Sequence, residues 1–184
     1  EELLLADAPV AAHWFGDRQI GPALLAHGTP EQKAELVPRI ARAEISFCIG
    51  MSEPDAGSDL AALHTRADPD GDGFVIRGQK IWTSFASHAD YCYLVARTNA
   101  DAPKHKGISE LLVPMSAPGI TVRPIKDMIG ESHFGELFFD DVRVPATNLV
   151  GGENKGWKLI TNQLNHERVT LCSSGIMERA YGVT

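Results

Sequence analysis

Cysteine is scarce in this chain. Cys48, Cys92 and Cys172 are odd in number, widely spaced and without a CxxC pair, so neither a disulfide framework nor a thiolate zinc site is indicated. A reduced, cytoplasmic setting follows. No apolar run approaches the length of a membrane span. Basic residues are in deficit as well. Seventeen Lys and Arg against 24 Asp and Glu leave a net charge of −7, which argues against nucleic acid and anionic membranes, since both select clustered Lys and Arg. The seven histidines are scattered singly and form no metal pair, so no metal is expected. An initiating Met is missing too. The chain opens at Glu1 and stops at Thr184 within a helical pattern, so it is expected to be a piece of a longer protein, in which targeting signals are not observable.

What is present suffices for one ordinary domain: 184 residues, 43% of them apolar. Residues 1 to 43 read as helical. Ala8 to Ala26 is rich in Ala, Leu and Ile, and Gly28 is placed to stop it. Thr29-Pro30-Glu31-Gln32 predicts a clean start for a second helix, with a capping threonine, proline at the first position and Gln32 at the capping-box position. Pro38 conflicts with that helix and should shorten or kink it.

From Ile45 to about Val144 the pattern is that of strands. Leu63 to Ala67 and Phe74 to Phe85 flank the turn Asp68-Pro69-Asp70-Gly71-Asp72-Gly73 and predict a hairpin. The same turn has some look of a calcium loop but lacks the ligand spacing and terminal Glu. Tyr91 to Arg97, Ile108 to Pro114, Ile120 to Arg123 and Glu136 to Val142 supply further strands. Short, regular strands between Gly and Pro turns predict an antiparallel barrel or sandwich. After the linker Gly151 to Gly156 a long helix begins near Trp157. Ile160, Leu164, Leu171 and Gly175 keep one face of it, and Glu167 falls within that stripe. Two readings of Glu167 stand: a desolvated base with a raised pKa, or a rim carboxylate paired with a nearby arginine.

Two stretches have an order that packing does not require. Phe47-Cys48-Ile49-Gly50-Met51 has strand character and breaks at Ser52-Glu53-Pro54 into a small-residue turn ending Ala56-Gly57-Ser58-Asp59. Such a turn forms a concavity of N–H groups suited to a diphosphate, with the Ser58 hydroxyl as a further donor; it is also readable as a plain exit from a strand. Gln79-Lys80-Ile81-Trp82-Thr83-Ser84 sets one large aromatic beside two hydroxyls. Together the stretches fit a flavin, with Trp82 as a stacking face and Ser52, Thr83 or Ser84 as hydroxyl partners. The alternative is that Trp82 is core, the commoner fate of a strand tryptophan.

The pair SEP-x-AGSD and GQK-x-W-x-S resembles the acyl-CoA dehydrogenase family, and Phe134 to Pro145, followed by Leu149 and Gly151, is similar to a third signature of that family. The likeness covers roughly residues 9 to 184 and corresponds to the middle of a family protein. Ile49 and Asp55 depart from it, where an aromatic and a glycine are frequent. The resemblance implies an α+β fragment: residues 1–43 as the end of an N-terminal helical domain, 44–150 as the middle β domain, and 151–184 as the first helix of a C-terminal bundle. It implies FAD held by Ile49, Gly50, Met51, Ser52, Gly57, Ser58, Trp82, Thr83 and Ser84. It implies an acyl-CoA thioester met by Ser58, Asn165, His166, Glu167 and Arg168, with Asn165 accepting from the pantetheine amides.

The implied reaction is α,β-dehydrogenation to the trans-2-enoyl-CoA. A carboxylate takes the α-proton and a hydride leaves for flavin N5, with an electron-transfer flavoprotein as one possible acceptor. In most of the family the base lies downstream; one branch places it on this helix just before the arginine, the arrangement of Glu167-Arg168, so Glu167 is the candidate catalytic residue. The segment Gly156 to Arg168 looks most like members acting on steroid side-chain thioesters, some of which pair two different subunits, so a homo- or hetero-oligomer is expected of the full-length protein. By the same resemblance the fragment is inactive alone. The alternatives are an acyl-CoA oxidase of the same fold and a noncatalytic partner subunit.

Overall fold

The computed structural model describes residues 13–171, apart from the side chains of His166, Val169, Thr170 and Leu171. Expectations resting on those side chains, on the start of the first helix, and on Cys172 and Gly175 lie outside the described residues. The first helix is not a plain α-helix. A π-helical stretch, Phe15–Ile20, runs into α1 (Gly21–His27), and the Gly21 N–H bonds to the Gly16 carbonyl five residues back. A Cβ on Gly21 would lie 2.9 Å from that carbonyl oxygen, so the wide turn depends on glycine there. The extra residue leaves Gln19 and Ile20 both buried.

Helix α2 (Pro30–Ala41) opens on the expected capping box: the Gln32 N–H donates to Thr29 Oγ1 at 3.2 Å and the Thr29 N–H to Gln32 Oε1 at 3.0 Å. The Gln32 amide also donates to the carbonyls of Thr147 and Leu149, tying the helix start to the sheet. Thr29→Ala is expected to lower unfolding free energy by about 1 kcal/mol in urea titrations, the usual worth of an N-cap. Of the two expected effects of Pro38, shortening is not found: α2 runs on to Ala41. Pro38 has no N–H to give the Ala34 carbonyl, but Ala34 is exposed like Pro38 itself, so that acceptor lies where solvent can reach it.

One eight-stranded sheet follows: β1 (Phe47–Gly50), β2 (Arg66–Asp70), β3 (Gly73–Ser84), β4 (Tyr91–Arg97), β5 (Ile108–Pro114), β6 (Ile120–Ile125), β7 (Phe134–Pro145) and β8 (Leu149–Val150). The order is β6-β7-β3-β2-β4-β5-β8, with β1 beside β4. Most pairings are antiparallel, as expected. The β1–β4 ladder and the single β2–β4 bridge at Arg66 and Arg97 are parallel, because a helical turn, Leu60–Ala62, and its flanking loop carry the chain back between β1 and β2. The predicted strand at Leu63 to Ala67 therefore begins later, at Arg66. Asp68 and Pro69, expected in the turn, belong to β2, and the hairpin closes tightly at Asp70 and Gly73. Gly71, at φ +62, supplies the left-handed turn.

Cys48, Ala67, Ile76, Leu94, Leu111 and Leu137, from six strands, share one buried cluster, so the sheet wraps around its own core. The opposite face of β1, β4 and β5 packs on helices. Phe47, Tyr93 and Leu112 meet Ile20, Leu24, Leu36, Ile40 and Leu159. A third cluster joins Leu60, Leu63, Val95 and Ile108 to Ile160 of α3 (Gly156–Leu171). On that face Tyr93 donates its hydroxyl to Glu110 Oε2 at 2.6 Å, while Glu110 Oε1 has no partner among the described residues. Burial pushes the Glu110 carboxyl up to about 8 and raises the Tyr93 phenol well above its ordinary value. No described helix is long and apolar enough to cross a membrane.

Candidate functional site

Three consecutive residues at the exit of β1 are fastened to β3. Lys80 Nζ donates to the Met51 carbonyl at 2.9 Å and to Glu53 Oε1 at 2.8 Å, and between them the Ser52 carbonyl accepts from the Ile81 N–H at 2.9 Å. Lys80 is fully buried and Glu53 only 7% exposed. Glu53 also accepts from the backbone N–H groups of His64, at 2.6 Å, and Thr65, at 2.9 Å. Burial pushes the Glu53 carboxyl up, but the Lys80 ammonium and these N–H donors outweigh it and hold the group below its ordinary value. Burial lowers the Lys80 ammonium more than Glu53 raises it. A carboxylate taking three donors in this way is held ionised.

The glycines of both motifs make room for this arrangement. A Cβ on Gly50 would sit 2.9 Å from Cys92 Sγ and 3.4 Å from Lys80 Cγ, so the lysine stem passes over a bare backbone. Gly78, at φ +146, lies where a Cβ would be 2.7 Å from Thr65 Cα, the residue whose N–H Glu53 holds. The order Gly78-Gln79-Lys80 is thus a packing requirement of the Glu53 loop. The turn itself closes through reciprocal bonds between Glu53 and Ala56, leaving Gly57 and Ser58 exposed, and a Cβ on Gly57 would touch nothing.

Trp82 is not core. The β3–β7 register slips between Lys80 and Thr83, Trp82 takes a left-handed φ of +61, and it stands 59% exposed. A strand tryptophan turned outward against the alternation of its strand presents a free aromatic face. Thr83 is buried with its hydroxyl unpartnered among the described residues, whereas Ser52 and Ser84 are half-buried. An exposed ring, an orphaned hydroxyl and an open glycine turn suit a flat, polar-edged cofactor with a phosphate tail. Two clefts, of about 420 and 370 Å³, lie elsewhere, beside α2 and beside the start of α3, and none of the expected site residues lines either.

The second half of the expected site is on α3. Its buried face runs Gly156, Leu159, Ile160, Gln163, and Gln163 donates to Gln19 Oε1 of the π-helical stretch at 2.8 Å. Met51 and Leu164 pack against the same cluster, which brings the β1 loop and α3 to one region. Glu167 continues this face one turn beyond Gln163 and is half-buried. Of the two readings of Glu167, the arginine pairing has no ion pair behind it among the described residues: Arg168 Nη1 donates to Asn165 Oδ1 at 2.7 Å. Asn165 therefore already uses its carbonyl oxygen and has its NH₂ left to donate. Ile49 is half-buried on the helix-facing side of β1.

Sequence reasoning missed the Glu53–Lys80 pair, although both residues stand inside the quoted motifs. The available signal was Lys80 itself, an inward-facing strand position that needs a buried anion.

Comparison with known proteins gives a consistent result. Residues 48–142 match the family model described as "Acyl-CoA dehydrogenase, middle domain". "Acyl-CoA dehydrogenase FadE26" of Mycobacterium tuberculosis is 49% identical over 176 residues, 94% of this chain and 43% of that protein. Among solved structures, the Tcur3481-Tcur3483 "steroid ACAD" superposes with a TM-score of 0.82 at 49% identity, covering 85% of this chain and 41% of that one. The ChsE4-ChsE5 complex from Mycobacterium tuberculosis gives 0.81 at 48%, covering 90% and 42%. A glutaryl-CoA dehydrogenase from Mycobacterium smegmatis in complex with FADH2 gives 0.71 at 33%, covering 83% and 38%. The chain spans less than half the length of each of these proteins.

Proposed function

Because this chain belongs to the acyl-CoA dehydrogenase family, we propose that the full-length protein is an FAD-dependent dehydrogenase that introduces a trans-2 double bond into an acyl-CoA thioester. The observation that carries the reading is Trp82, held in a left-handed backbone with its ring exposed beside the anchored Met51-Ser52 segment. FAD, when bound, supplies the acceptor for the β-hydride. Ile49, Gly50, Met51, Ser52, Gly57 and Ser58 from the β1 exit would hold it together with Trp82, Thr83 and Ser84 from β3.

The chain's own contribution is orientation and proton handling. Trp82 offers a flat face for stacking, the Thr83 and Ser84 hydroxyls offer polar partners, and the turn at Gly57 and Ser58 offers N–H groups to a phosphate. Asn165, with its carbonyl engaged by Arg168, offers its NH₂ to a thioester or pantetheine carbonyl. Ser58, His166 and Arg168 complete the thioester contacts. Glu167 takes the α-proton.

Residues 1–43 and 151–184 are read as parts of N- and C-terminal helical domains flanking the middle domain at 44–150. Likeness to a "steroid ACAD" and to a two-protein complex supports a steroid-bearing thioester and a hetero-oligomer in the full-length protein. An electron-transfer flavoprotein is the proposed oxidant of the reduced cofactor, and the sparse free cysteines support a cytoplasmic setting.

The test is the visible spectrum of the anaerobic full-length protein during titration with straight-chain and steroid acyl-CoA thioesters. Bleaching of the flavin band by one class is expected and identifies the substrate. A yellow protein that no thioester bleaches would overturn the dehydrogenase assignment, and a colourless one would overturn the cofactor assignment.

A further inference from the structure

Fastening the β1 exit to β3 does not by itself require charges. The Ile81–Ser52 bond already joins the two segments, and an apolar residue of lysine's volume in the core commonly stabilises a fold as well as a buried ion pair does. What an apolar residue cannot do is control where backbone groups point. Lys80 takes the Met51 carbonyl inward. A trans peptide is planar, with its C=O and N–H on opposite sides. The Ser52 N–H is therefore turned away from Lys80, toward the outer side of the loop, and it has no partner among the described residues. Glu53 completes the device. Its two oxygens hold the His64 and Thr65 N–H groups while one of them also holds Lys80, so the far end of the Ser52–Leu63 loop is fixed by the same pair.

We propose that Glu53 and Lys80 are positioning residues for the cofactor: a buried clamp that sets the Met51–Ser52 peptide so that the Ser52 N–H faces the polar edge of a ring stacked on Trp82. This rests on the flavin reading above. Neither residue touches the cofactor. Both act through the loop.

The experiment uses the full-length protein stripped of FAD, with cofactor affinity measured by fluorescence quenching and stability by the melting temperature of the stripped protein. Lys80→Met is expected to lower both, FAD affinity by tenfold or more. The double variant Glu53→Gln with Lys80→Met removes the carboxylate that the single change leaves buried and unpaired, so it should melt higher than Lys80→Met. Its FAD affinity should stay at least tenfold below the parent's, with a broadened 450 nm band, because the Met51 carbonyl is still released. Val142→Ala, a core change away from the loop, should lower the melting temperature yet keep affinity within twofold.

Recovery of affinity together with melting temperature in the double variant, or affinity that follows melting temperature through all the variants, would make the pair merely structural and overturn the proposal. If Lys80→Met does not fold, the double variant compared with the parent and Val142→Ala decides in the same way. A parent protein that binds no FAD would overturn the cofactor reading and the clamp together, whereas a parent that binds FAD beside unaffected clamp variants would overturn the clamp alone.

Discussion

Glu167→Gln in the full-length protein is expected to reduce turnover by at least ~10²-fold, the lower end of what a positioned general base contributes, while FAD stays bound. The change keeps the size and hydrogen-bonding shape of the side chain and removes only its capacity to take a proton. Glu167 suits that role by placement. It extends the buried face of α3 one turn beyond Gln163, close to where Leu164 and Met51 share a cluster, and it is half-buried. The adjacent arginine is directed to Asn165 rather than to this carboxylate. Steady-state turnover with a thioester that bleaches the flavin, measured beside the visible spectrum of the variant, decides the matter. Near-normal turnover with flavin retained would place the base outside the residues described.

Glu110→Gln is expected to stabilise the protein above neutral pH by several kcal/mol and to flatten its pH dependence. The carboxyl titrates near 8 when folded against an ordinary 4.5. Below about pH 4.5 it is protonated in both states and contributes no difference. Between 4.5 and 8 the folded protein holds a proton that the unfolded chain has lost, so stability falls as pH rises, by about 1.4 kcal/mol per unit. Above 8 the loss levels off at roughly 3 to 5 kcal/mol. Glutamine keeps a partner for the Tyr93 hydroxyl without the charge. Urea unfolding of the full-length protein and its variant at pH 5, 7 and 9 should show curves that nearly coincide at the lowest pH and separate toward the highest. Equal slopes for both proteins would show that Glu110 is not the group that titrates.

Several features were legible in the sequence because local chemistry decides them. The capping box at Thr29 and Gln32 and the turn at Gly71 need only neighbours a few residues away, and the strands from Tyr91 and Ile108 follow from apolar runs between turn residues. Where the reading failed, distant or solvent contacts decided. Pro38 falls on the exposed side of α2 with Ala34, a placement set by how the helix packs on the sheet. Pro69 sits in a strand rather than the turn because β2 pairs through to Asp70. The parallel β1–β4 ladder depends on where an intervening loop returns the chain.

The candidate site divides in the same way. Its motifs marked the right stretches, and their glycines signalled close backbone approach. Trp82 stayed ambiguous because a register slip against β7 turned it outward, and a slip between strands so far apart leaves no mark on periodicity. Lys80 and Glu110 mislead any pattern that counts charges as exposed: Lys80 is held by the Met51 carbonyl and Glu53, and Glu110, with its carboxyl pushed up to about 8, is buried beside the Tyr93 hydroxyl, all contacts distant in sequence.

The placement of β1 bears on the order in which the molecule assembles. The β2–β3 hairpin joins neighbours and closes a short loop, but β1 finds β4 across more than forty residues, and β3 meets β7 across a similar or greater span. Contacts of such high contact order form late, after the entropy of closing long loops has been overcome. The Met51–Glu53 segment is joined to β3 across 27 to 29 residues, and the two strands that bear it are set in the sheet by the longer pairings, so a ligand seated there would meet a nearly finished sheet. Such a ligand would slow unfolding far more than it would speed folding.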